Sequence, residues 1–108
     1  MNRLFAAPVS LIGLLIAILV SPGAAKAADA TNGEVLAKRW CAACHIVAAD
    51  QQNGSTQTAP FSVIARKPGF DAARLALFLM TPHPVMPDMS LSRSEAADLA
   101  AYIRSQAQ

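Results

Sequence analysis

Cys41-Ala42-Ala43-Cys44-His45 is the stretch whose residue types and spacing suit chemistry most directly. Two thiols in C-x-x-C spacing fall on one side of a helical turn, where they can add to two vinyl groups along one edge of a porphyrin. The next residue then sets an imidazole nitrogen under the iron. C-x-x-C-H is accordingly the pattern of c-type haem attachment. Two other chemistries use parts of the pattern. A redox-active disulfide of thioredoxin type follows a strand and opens a helix in a βαβ setting, whereas here an amphipathic pattern precedes the cysteines. A zinc site needs further Cys or His ligands at paired spacing, and His83 alone does not supply them. The expectation is one covalent haem, held through Cys41 and Cys44, with His45 on its iron.

A low-spin carrier fills the second axial position as well, and a thioether opposite His raises the potential. Beyond the leader described below, the candidates are Met80, Met86, Met89 and His83. Met80 falls inside a helical pattern and reads as a core residue. Met86 stands between Pro84 and Pro87, which restrict the backbone and lower the entropy of holding a weak ligand. Met86 is the preferred ligand. Met89 as packing residue or ligand, His83 as ligand or solvated loop side chain, and an open iron stay as alternatives. On the other side, a ligand His ordinarily donates its second ring N–H to a carbonyl or carboxylate. The Pro60 carbonyl is the candidate acceptor, against a plain turn proline. Trp40, Arg66, Lys67, Arg74 and Tyr102 are the donors available to haem propionates, none singled out.

Helices must position these groups. Gly33, Leu36, Ala37 and Trp40 lie at i, i+3, i+4 and i+7 and run straight into Cys41. Thr31 or Asn32 is the expected cap, after a short disordered lead-in from Ala28. Ala49 to Ala59 is polar and reads as a loop. Phe61 to Arg66 suits a short helical turn, and Pro68-Gly69 breaks the chain. Asp71 caps a second pattern with Ala72, Leu75, Ala76 and Leu79 on one face. The three prolines between Thr81 and Pro87 rule out regular helix. Ser92 and Glu95 form a capping-box pattern ahead of Ala96, Leu99, Ala100 and Ile103, with Tyr102 beside them. No segment alternates with period two. The fold class is therefore all-α, with three to four short helices and long loops around a central group.

Of 108 residues, the first part differs from the rest. A basic start at Met1 to Arg3, an interrupted apolar run from Leu4 to Val20 and the small-x-small site Ala25-Lys26-Ala27 read as a secretory signal over 1–27, with Ala30 as a fallback site. An uncleaved anchor is the alternative, although the run is short for a span. Export suits haem attachment of this type, which takes place outside the cytoplasm, and the expected location is the periplasm. The domain is then 28–108. Nine basic side chains face seven acidic ones in the whole chain, and Arg3 and Lys26 leave with the leader. A near-neutral domain argues against nucleic-acid partners and a strongly membrane-bound role. It is also small and poor in aromatics, so a cofactor is expected to stand in for core side chains.

These motifs together resemble the small class I c-type cytochromes of bacteria. The likeness rests on Gly33 ahead of the attachment motif, Ala59-Pro60, Met86-Pro87, and Leu91-Ser92…Glu95…Asp98-Leu99-Ala100-Ala101-Tyr102-Ile103. It implies a cytochrome c fold whose first and last helices cross beside the haem, with Gly33 and Ala37 against the Leu99 to Ile103 face. It also implies His45 and Met86 as axial pair and the Pro60 carbonyl as partner of His45. The family position four after the glycine is often aromatic. Here it is Ala37, with Trp40 as the substitute.

Three functions follow from these features. A filled iron makes a single-electron carrier, free or as the haem subunit of a periplasmic dehydrogenase. An open iron makes a haem enzyme or gas sensor, and absence of haem leaves a thiol–disulfide protein. No base–nucleophile pair is evident, so the carrier is preferred over an enzyme. Its partner is another redox protein: a dehydrogenase, an oxidase or another cytochrome. The resemblance places the exposed haem edge near Ala42, Ala43 and Val85, which predicts docking by apolar contact with weak electrostatic steering.

Overall fold

The computed structural model describes residue 23 and residues 26–81 and 85–108. The leader up to Val20 and His83 lie outside the described residues. Four helices follow in order: α1 (Ala30–Trp40), α2 (Phe61–Ala65), α3 (Ala72–Met80) and α4 (Arg93–Ser105). No strand occurs among the described residues, and no helix there is long and apolar enough to cross a membrane.

Helix α1 starts earlier than its apolar pattern announces. Its N-cap is Asp29, whose carboxylate accepts from the Thr31 and Asn32 backbone N–H groups. The expected disordered lead-in is thus the first turn of a helix, because a carboxylate satisfies amides that would otherwise lack partners. The same turn is tied to α4. Asp98 accepts from the Asp29 backbone N–H at 2.7 Å and from Asn32 Nδ2 at 2.8 Å. Asp71 caps α3 through the Arg74 N–H, and Ser92 and Glu95 form the reciprocal capping box of α4.

The core is the crossing of α1 and α4, with α3 and α2 packed against α4. Leu36 and Ala37 from α1 meet a face of Ala96, Leu99, Ala100 and Ile103, and Ala37, Ala96 and Leu99 are completely buried. Gly33 makes the approach possible. A Cβ there would stand 2.6 Å from the Asp98 carbonyl carbon and 2.8 Å from Tyr102 Cβ, far inside contact distance. Close approach at this point explains why Ala37 suffices where a larger side chain is usual. Trp40 does not enter the interface; it stays 39% exposed beneath the Arg39 guanidinium, 5.0 Å from its ring centroid. The expected core role of Met80 is also not met, since it lies on the outer side of α3 at 38% exposure. Met89 is the methionine that packs inward, at 8%.

Candidate haem site

Helix α1 ends at Trp40 and the chain continues as a tight turn. The Cys41 carbonyl accepts from the backbone N–H groups of Cys44 and His45 at 3.1 and 2.8 Å. This turn presents the Cys41 and Cys44 side chains to the same space. Cys41 is buried and Cys44 exposed, and neither forms a disulfide. Burial pushes the Cys41 thiol up to about 11. A protonated thiol is a poor nucleophile for disulfide exchange, which disfavours a redox-active pair.

The His45 ring is fixed by a carbonyl and by an aromatic neighbour. Its Nδ1 lies 2.6 Å from the Ala59 carbonyl. A carbonyl only accepts, so Nδ1 carries the proton and Nε2 keeps its lone pair free for a metal. The acceptor is one residue before the one expected. Pro60 is the N-cap of α2, and its carbonyl instead accepts from the Val63 and Ile64 N–H groups. Pro60 still contributes, since a residue preceding a proline is held extended, and that residue is Ala59. Phe61 then packs on the imidazole at a centroid distance of 5.4 Å, and Tyr102 packs edge-on against Phe61 at 6.4 Å. The Tyr102 hydroxyl donates to the Val47 carbonyl at 2.8 Å, which pins the far end of the same loop.

Sequence patterns did not flag Gln51. Its Nε2 lies 3.1 Å from the Ala42 carbonyl, 2.8 Å from that of His45 and 2.6 Å from that of Asn53. Its Oε1 accepts from the Val47 N–H at 2.9 Å. Only its place in a polar loop near the motif pointed to it.

A cavity of about 250 Å³ opens beside the motif, lined by Trp40, Cys41, Cys44 and His45 on one side and by Val85, Met86, Pro87 and Met89 on the other. Four of the five expected site residues, Cys41, Cys44, His45 and Met86, thus share one cavity, and Pro60 does not line it. Met89 joins them while also belonging to the buried core, with Met86 packed at its edge. Among the proposed propionate donors, only Trp40 lines this cavity. The Tyr102 hydroxyl is committed to Val47, and Arg66, Lys67 and Arg74 are exposed and do not line it. Among the described residues no cluster of His, Cys, Asp and Glu suits a metal ion bound by protein alone. The donor set fits a haem instead: two thiols on one wall, one imidazole with a free nitrogen, and thioethers facing them. Cys41 and Cys44 would hold the macrocycle, and His45 Nε2 and a methionine sulfur would be the donors to its iron.

The cytochrome c family model matches residues 30–107. The chain belongs to the cytochrome c family. It is 51% identical over 94 residues to a cytochrome c-552 of Bradyrhizobium diazoefficiens, covering 87% of this chain and 90% of that protein. No solved structure matches the chain significantly. Members of this family carry covalent haem c and transfer electrons; they are carriers, not enzymes.

Proposed function

We propose that this chain is a periplasmic carrier of single electrons whose one haem is attached through Cys41 and Cys44 and ligated by His45 and Met86. The observation that carries the proposal is the shared cavity, with a motif imidazole whose Nε2 is left free by the Ala59 carbonyl. The haem iron supplies the redox change. The chain's part is to hold the ligands so still that oxidation and reduction need little rearrangement. The Ala59 carbonyl, Phe61 and the tight turn after Cys41 do this for His45, and Pro87 does it for Met86. Met86 is preferred to Met89 because it stands at the edge of the core, whereas Met89 is embedded in it. Residues 1–27 act as the export signal, which brings the thiols to the compartment where attachment occurs.

The redox partner docks where the haem edge reaches the surface. Val85 is 95% exposed and Ala43 is also exposed, so this rim is small and apolar. Such a rim, on a near-neutral domain, recognises a partner by shape and apolar burial. The test of ligation is the weak long-wavelength iron–sulfur absorption band of the oxidised protein. It disappears in Met86→Ala and persists in Met89→Leu. Loss in Met89→Leu with retention in Met86→Ala would reverse the assignment. Carbon monoxide binding to the wild-type reduced iron would favour an open site.

A further inference from the structure

We infer that Gln51 is a positioning residue for the haem-attachment turn: its carboxamide clamps the carbonyls of Ala42 and His45 and thereby holds the His45 imidazole against Ala59. The inference rests on the proposed ligation by His45.

The turn from Cys41 to Ala48 leaves helical geometry, so its carbonyls lose their usual partners. Most are taken up by backbone or distant groups. Cys41 serves Cys44 and His45, Cys44 accepts from the Ser55 N–H, Ile46 from the Phe61 N–H and Val47 from the Tyr102 hydroxyl. The carbonyls of Ala42 and His45 turn instead to a side chain of the neighbouring loop. Both accept from the Nε2 of Gln51, whose two N–H groups they share with the Asn53 carbonyl at 2.6 Å. The same side chain accepts from the Val47 N–H through Oε1, which fixes the orientation of its amide. One uncharged, half-buried side chain therefore closes the turn on both flanks of Cys44. A carboxylate of the same shape could accept from Val47 but would face two carbonyls with no proton to give. A leucine could do neither. The carbonyl of His45 belongs to the residue whose ring must stay within 2.6 Å of Ala59. Releasing that carbonyl lets the residue swing, and the ring bond lengthens with it.

The test compares Gln51→Leu and Gln51→Glu with Ser92→Ala in the haem-loaded protein. Ser92→Ala loses a helix cap that is not part of the cavity lining, and serves as a control for general loss of stability. The readout is hydrogen exchange of the His45 Nδ1 proton in the reduced protein, followed by NMR, with the reduction potential measured alongside. Expected in both Gln51 variants is exchange about tenfold faster than in Ser92→Ala, which corresponds to about 1.4 kcal/mol. The potential should move in the Gln51 variants and not in Ser92→Ala. Gln51→Glu, close in shape, keeps the test usable should the leucine variant fail to assemble. Exchange in Gln51→Glu no faster than in Ser92→Ala would overturn the clamp. A wild-type iron lacking His45 as ligand would instead fail the ligation itself, and its low-spin spectrum reports that separately.

Discussion

Substituting Gly33 by alanine puts the helix crossing under direct strain. On propensity alone the change favours α1, by about 1 kcal/mol for Gly to Ala inside a helix. Packing opposes it. The new Cβ would stand 2.6 Å from the Asp98 carbonyl carbon and 2.8 Å from Tyr102 Cβ. Ordinary carbon contacts begin near 3.5 Å, so α1 and α4 must part by about 1 Å. The obstacle is backbone and cannot rotate away. A gap of about 1 Å forfeits up to half of the dispersion energy of each contact opened. Those contacts are made by Leu36, Ala37, Leu99, Ala100 and Ile103, and the Asp98 bonds to Asp29 and Asn32 loosen with them. Overpacking of this kind costs about 3 kcal/mol. The net loss is then about 2 kcal/mol, a fall in Tm of roughly 10 °C for a domain of this size. The assay is thermal unfolding of the oxidised, haem-loaded protein by far-ultraviolet circular dichroism. A Gly33→Ala protein as stable as wild type, or more so, would refute the close crossing.

Tyr102→Phe removes the donor to the buried Val47 carbonyl. It should cost about 1–3 kcal/mol in urea unfolding, with little change in the visible spectrum. The Glu95 carboxyl is held below the usual carboxylate range, chiefly by the Ser92 backbone N–H. A depressed folded value stabilises above the unfolded value near 4.3, and the gain is lost as pH falls through the folded value. Glu95→Gln should therefore flatten the acid limb of stability against pH, and an unchanged limb would count against the capping box. Without haem the domain should lack a stable core. Circular dichroism of a Cys41→Ala, Cys44→Ala protein is expected to show lost helix, and native-like helicity would contradict this. Electron transfer to the redox partner should depend only weakly on salt, and a steep fall in rate with added salt would argue for a charged docking face.

The helices were legible in the sequence because their signals are local. The apolar spacing of Leu36 and Ala37, the Asp71 cap and the Ser92–Glu95 box each act within a turn or two, and each is found in the fold. The start of α1 was less so: the Asp29 cap is local, but the apolar face begins only at Gly33, and what ties the first turn down is Asp98, far along the chain. The attachment motif was legible because its spacing is a chemical requirement. The carbonyl partner of His45 was placed one residue too far, since the helix opened by Pro60 claims that residue's own carbonyl. Helical period points Trp40 and Met80 inward, but a period marks a face and does not say where a small helix runs out of neighbours. Gln51 carries no signal in the sequence. Its four partners converge only when the loop is folded, and nothing in a run of polar residues distinguishes a clamp from a solvated side chain.

The most direct test of the account is an absorption spectrum of the purified protein, oxidised and then reduced, after acidified-solvent extraction of loose haem. Sharp low-spin bands that survive extraction and titrate as a single one-electron couple are expected. Haem lost to the solvent would contradict attachment through Cys41 and Cys44, and a high-spin spectrum that responds to carbon monoxide would contradict the closed electron carrier.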